Sequence, residues 1–308
     1  MRSRSLLVVV VGVLSLSLTT TVVGCVSPQA QLEPTSTSQA QVEPTSTSQA
    51  QVEPASTYVA GVEATFPPWA WVEEGEFKGI SVDAIREIAK SEGINVEYQE
   101  LPWPSLIPAL ADGKIDLVVT AVSVTEERAK VLDYTVPWWE INRVVLVRKD
   151  SNLDGITALC CGVTVGGQGG STDFEWVKQE LAPNPGLDIE LREFEDPVMA
   201  VEDLKAGRVD SVVIDSDTGS QLAAKHPNIR IAAQFYTYPP EPYAIPVAKG
   251  DPQELLPKLN HGIMELYASG KWAEIVHKYI PGATILPIPA YMPEYVGSYQ
   301  HPIPGFED

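Results

Sequence analysis

Arg128 stands in the segment Asp116–Trp139, DLVVTAVSVTEERAKVLDYTVPWW, where its neighbours invite chemistry. An apolar run, Leu117 to Val119, gives way to small and hydroxylated residues at Thr120, Ala121, Ser123 and Thr125. A buried strand that ends in hydroxyls, free backbone N–H groups and a guanidinium fork is suited to holding a carboxylate. An acid follows another apolar strand in Ala206-Gly207-Arg208-Val209-Asp210 and onward to Asp215. Asp215 stands at the strand end, where open α/β sheets bind ligands, whereas Asp210 stands at its start. Ser216 and Asp217 follow, so a helix N-cap role is the competing reading of Asp215. The loop Gly169 to Thr172, with Ser171 and Thr172, lets backbone approach a ligand and offers helix-start N–H groups. It lacks the Gly-Lys-Ser/Thr ending of a phosphate-binding P-loop, which argues against nucleotides. Glu63 near the end of the first strand, with Phe66 and Trp69 after it, completes the candidates, with Trp69 as well suited to a core as to a site.

The elements that must position these residues alternate between strand and helix. Strands are expected over Tyr58–Ala64, Val96–Leu101, Arg143–Lys149, Gly162–Val165 and Val209–Ile214, each a short apolar or alternating run. Helices are expected with Ser81 as N-cap and Gly93 as stop, from Pro104 to Ala111, and after Thr125. Further helices are expected behind a Thr172–Glu175 capping box, after Asp196-Pro197, after Asp251-Pro252, and from Trp272 to Tyr279. Phe235–Ile245 reads as extended and proline-broken. Two α/β sets joined by extended segments predict two lobes.

Outside these sets the composition changes. Residues 1–24 carry Arg2 and Arg4, then an apolar run too short to span a bilayer, and read as a signal sequence ending at Cys25. Residues 26–57 repeat SQAQVEPTST with a period of ten and offer no hydrophobic face, so a disordered tether is expected. Such a tether spans about 30 Å on average and about 105 Å when taut. Residues 284–308 are rich in proline and tyrosine and are expected to be irregular. The net charge of −20 argues against nucleic acid as a partner. Cys160 and Cys161 are adjacent; in a strand their side chains would face opposite ways, and two buried thiols are expected rather than a vicinal disulfide. His226, His261, His277 and His301 are scattered without ligand spacing, so no metal and no cofactor is expected.

The order Asp116, Thr120 to Ser123, Thr125-Glu126-Glu127-Arg128 and Asp133-Tyr134-Thr135-Val136-Pro137-Trp138 resembles family 3 extracellular solute-binding proteins. These are the polar amino-acid receptors of ABC importers, and the resemblance covers residues 58 to 283. It implies a two-lobed α/β fold of the periplasmic-binding-protein type II class, with the ligand in the interlobe cleft. Lobe 1 would comprise 58–146 and 240–283, lobe 2 would comprise 147–239, and the chain would cross near Leu146–Ser151 and Tyr238–Ile245. The resemblance further implies a free amino acid as ligand, an ABC permease as partner, no catalysis and a monomer. Arg128 would take the α-carboxylate with Thr120, Ala121, Ser123, Ser171 and Thr172 around it, and Asp215 the α-ammonium. Where relatives often carry a hydroxyl, Ala121 can offer only its backbone. Phe66 and Trp69 would stack on the ligand side chain, and Glu63 would favour a cationic one. Val22-Val23-Gly24-Cys25 resembles a lipobox, which implies a lipid anchor on Cys25 at an extracytoplasmic membrane face. Cyclohexadienyl dehydratases share the fold, and Asp173 or Glu175 would then serve as the added acid.

Overall fold

The computed structural model describes residues 55–237 and 241–287. The signal sequence, Cys25, almost all of the repeat segment and the tail beyond Pro287 lie outside the described residues. Two mixed five-stranded sheets organise the rest.

In the first lobe, β1 (Thr57–Val62) runs into a small antiparallel meander of β2 (Thr65–Phe66), β3 (Ala70–Glu73) and β4 (Glu76–Lys78). Then come α1 (Ile80–Glu92), β5 (Asn95–Glu100), α2 (Trp103–Ala111), β6 (Leu117–Val118), α3 (Glu126–Ala129) and β7 (Leu132–Tyr134). After β8 (Trp139–Ile141) the chain enters the second lobe with β9 (Arg143–Arg148). That lobe continues through β10 (Val163–Gln168), α4 (Thr172–Trp176), β11 (Ile189–Phe194) and α5 (Pro197–Lys205). It closes with β12 (Ser211–Asp215), α6 (Ser216–Lys225) and β13 (Ile229–Phe235). The chain returns by β14 (Glu241–Tyr243), β15 (Pro246–Ala248), α7 (Leu256–Ala268) and α8 (Lys271–Tyr279).

The first sheet has the order β5-β1-β6-β15-β7 and the second β11-β10-β12-β9-β13. Parallel pairs β1–β5, β1–β6, β10–β11 and β10–β12 bring the carboxyl ends of central strands to one edge in each lobe. The two-residue period of a strand is visible in β9. Val144 and Leu146 pack on one side with Val212, Ile214 and Leu222, while Val145 and Val147 pack on the other with Val163 and Val213. A sheet buried on both faces explains the nearly unbroken apolar runs that mark these strands in the sequence.

The two connections between lobes pair with each other as an antiparallel ribbon, β8 against β14. Because β9 pairs with β12 and β13 along its full length, the first crossing precedes Arg143 rather than falling near Leu146. Lobe 1 therefore gives up residues 143–146 to lobe 2.

Four local expectations change. Helix α1 starts two residues earlier, with Gly79 as N-cap at φ 130°. A Cβ there would lie 2.1 Å from the carbonyl oxygen of Trp69, so only glycine fits. Ser81 is inside the helix, and its hydroxyl donates to the Thr120 carbonyl at 3.1 Å. Helix α4 is capped by Ser171, whose Oγ accepts from the Phe174 N–H at 3.2 Å, which frees the Thr172 hydroxyl for other work. Helix α7 begins at Leu256, because Asp251 bonds the N–H groups of Leu255 and Leu256 from four and five residues upstream. Cys160 and Cys161 form a disulfide. They lie in a turn before β10, not in the strand, and Cys161 adopts φ 71°, so the opposite-faces argument does not apply.

Candidate functional site

The carboxyl edges of both sheets meet at a cavity of about 20 Å³ lined by residues of both lobes. The first lobe contributes Glu63 and Phe66 after β1, Trp103 at the start of α2, Ala121 and Ser123 after β6, and Arg128 on α3. The second contributes Gln168 at the end of β10 and Ser171, Thr172 and Asp173 at the start of α4. Tyr243 on the returning ribbon completes the wall.

Arg128 owes its place to the turn around it. Thr125 caps α3 by accepting from the Arg128 N–H at 3.2 Å, which leaves the guanidinium to extend away from the helix. Nη1 donates to the Ser123 carbonyl at 2.8 Å, and Nη2 crosses to the second lobe to donate to the Gly170 carbonyl at 3.0 Å. The guanidinium carbon lies 5.0 Å from the Trp103 ring centre, a cation–π arrangement that orients the fork. Two further contacts cross the cleft: Ser123 Oγ lies 3.2 Å from Thr172 Oγ1, and Gln168 Nε2 donates to the Glu63 carboxylate. With these contacts made, the cavity has room for about one water molecule.

Acids dominate the surroundings. Glu63 is buried, and its pKa is pushed up to about 8, chiefly by desolvation; Asp196 and Asp215 add to this, while the Gln168 hydrogen bond opposes it. Asp173 is likewise raised well above the usual carboxylate range by burial and then by Glu241 and Asp215. Arg143 sits between two of these acids, with Nε 3.2 Å from Asp173 Oδ1 and Nη2 2.5 Å from Glu241 Oε2. Glu241 also accepts from the Thr172 hydroxyl. Burial raises Asp217 to about 6, although the Trp139 indole N–H donates to it at 2.7 Å. The Tyr243 phenol is pushed well above its normal range by burial and the same acids.

Asp215 holds a double position. Its Oδ1 accepts from the N–H groups of Asp217 at 3.1 Å and Thr218 at 2.9 Å, which makes it the N-cap of α6. Its Oδ2 is buried and has no hydrogen-bond partner among the described residues. Burial, reinforced by Asp217, pushes its pKa up to about 7. It is fully enclosed and does not line the cavity itself.

Of the residues singled out from the sequence, Glu63, Phe66, Ala121, Ser123, Arg128, Ser171 and Thr172 line one cavity. Trp69 does not; it is wholly buried and edge-on to Trp139 and Tyr243, at 5.7 and 5.3 Å. Thr120 is buried behind the wall, with its carbonyl bonded to Ser81. Trp103, Gln168 and Tyr243 went unread as site residues, and Asp173 was read only as the added acid of a dehydratase. A helix-start tryptophan, a glutamine ending a glycine-rich strand and an acid in the first helical turn are each ordinary in sequence. Only the strand order brings them together.

The comparisons fit this geometry. Residues 58–282 match the model of the bacterial extracellular solute-binding proteins, family 3. A probable histidine-binding protein of Neisseria gonorrhoeae is 32% identical over 224 residues, covering 70% of this chain and 80% of that protein. An L-arginine-binding protein of Pseudomonas aeruginosa is 30% identical over 228 residues, covering 70% of this chain and 85% of its own. Among solved structures, an ancestral arginine-binding protein bound to arginine superposes with a TM-score of 0.67 at 34% identity, over 73% of this chain and 99% of that one.

Proposed function

Because the chain belongs to the bacterial extracellular solute-binding proteins of family 3, we propose that it is an amino-acid receptor serving an ABC importer, with a cationic amino acid as ligand. One observation carries this reading: the Arg128 guanidinium and buried carboxyls of both lobes converge on one small cavity between the lobes. A carboxylate on the ligand replaces the Ser123 and Gly170 carbonyls as the partner of Arg128. The ligand ammonium meets Asp215 Oδ2 and Asp173, and a cationic side chain meets Glu63. Such a ligand lets the acids ionise, which their mutual repulsion and burial otherwise oppose. The cavity is too small for an amino acid, so the lobes part to admit it and close by exchanging the Arg128–Gly170 and Glu63–Gln168 contacts for ligand contacts.

The relatives described above are binding proteins rather than enzymes, and the proposed cycle contains no chemical step. Cys25 is proposed as the lipidated first residue of the mature protein, tethered to the lobes by the repeat segment. A thermal-shift screen of the twenty amino acids, with prephenate alongside, tests the receptor reading, since a ligand raises apparent stability by mass action. Arginine, lysine or histidine should give the largest rise. No response to any amino acid, or turnover of prephenate, would overturn it.

A further inference from the structure

On the opposite, helical side of the first lobe, three side chains that could ligate a metal come together from two helices. Glu92 ends α1, and His261 and Glu265 lie one turn apart on α7. One donor atom from each lies within 4.8 Å of the other two. Sequence spacing offers no metal site here, because Glu92 and His261 are 169 residues apart. Close helix packing creates the arrangement. A Cβ on Gly262, next to His261, would lie 2.6 Å from Ile88 Cγ2, so the glycine lets α7 approach α1 at this level. Residues i and i+4 share a helix face, which points His261 and Glu265 toward the same neighbour.

Glu92 and His261 alone, with Nδ1 2.6 Å from Oε1, make an ordinary exposed ion pair. The third group changes the chemistry. We propose that Glu92, His261 and Glu265 form a site for a divalent first-row transition ion, which would staple α1 to α7. One imidazole and two carboxylates are a donor set that zinc accepts, with water or a partner's side chain filling the open position. Glu92 also sits at the carboxyl end of α1, where the helix dipole favours a cation. Glu92 from α1 and Glu265 from α7 are the charged groups facing the imidazole, and a bound ion displaces its proton.

The site is independent of the amino-acid cleft, so the two can be tested separately. Full-length, untagged protein, stripped with a chelator, is titrated with zinc by calorimetry and melted with and without it. Wild type should bind one zinc ion and melt at a higher temperature with it. His261→Ala, Glu265→Gln and Glu92→Gln should each weaken that binding at least about tenfold, since loss of even a supporting group outside the first shell costs that much. Amino-acid affinity in these variants serves as the folding control and should not change. Asp173→Asn, in the cleft, should bind zinc as wild type does. Zinc binding that survives His261→Ala, or that disappears with Asp173→Asn instead, would overturn the proposal, as would absence of binding to wild type.

Discussion

Arg128 and Asp215 each stand where a strand's carboxyl edge leads into a helix, Arg128 in the first turn of α3 and Asp215 at the N-cap of α6, yet they are built differently. Around Arg128 the cap is supplied by Thr125, and the guanidinium is a lining group with both arms on carbonyls that a ligand can replace. Asp215 is its own cap: one carboxylate oxygen is committed to the N–H groups of α6, and the other is buried without a partner among the described residues. One position separates the work of folding from that of binding; the other combines them. The difference teaches that a strand-end charge and a helix cap are not alternatives, because a carboxylate has two oxygens to give.

The largest effect that probes this contrast is on affinity. Arg128→Ala should weaken amino-acid binding by about 2–5 kcal/mol, because the ligand carboxylate is left desolvated and unpaired. Its ligand-free melting temperature should stay near wild type. Asp215→Ala should lose affinity on the same scale and also lower the ligand-free stability by about 0.5–2 kcal/mol through the lost cap. Asp215→Asn keeps the capping oxygen and removes the charge, so it should retain stability while losing affinity. Equal ligand-free melting of Asp215→Ala and wild type would break the comparison.

The next effect is a pH dependence of the ligand-free protein. Glu63 has a folded pKa of about 8 against a normal value of 4.5, so the folded state binds more protons than the unfolded one between those limits. Its contribution to stability is fully present below about pH 4.5 and is lost as pH rises through about 8. Melting temperature should therefore fall from pH 5 to pH 8.5, and Glu63→Gln should flatten that fall. An unaltered slope in the variant would remove Glu63 as its source. A cationic ligand should act oppositely, stabilising more at pH 8 than at pH 5, because it binds the ionised carboxylate.

The smallest effects separate two neighbours. Ser171→Ala should cost about 1 kcal/mol of stability as a lost cap. Thr172→Ala should leave stability nearly intact and act on ligand binding, through the hydroxyl shared by Ser123 and Glu241. The reverse pattern would return the cap to Thr172.

What the sequence revealed follows a physical line. Arg128, Ser123 and Ala121 were legible because strand, turn and helix are contiguous, and local order dictates where their atoms go. Gly93, Thr125 and Asp196 were legible as helix boundaries for the same reason. Trp69 was open in the sequence because a tryptophan beside a strand end suits a site wall and a core alike; in the structure it packs against Trp139 and Tyr243. Gln168 and Tyr243 were illegible because their roles depend on a partner lobe and on a return strand far along the chain. The first crossing was misplaced because the middle of β9, Val144 to Val147, is an unbroken apolar run, and nothing in such a run says which sheet it joins.

Calorimetric titration of the wild-type protein with L-arginine and with L-citrulline, its neutral isostere, addresses the central claim most directly. If buried acids of both lobes and Arg128 hold a cationic amino acid between them, arginine should bind tighter by about 1.5–3 kcal/mol, the range for a hydrogen bond to a charged group. Citrulline binding as tightly as arginine, or neither binding at all, would contradict it.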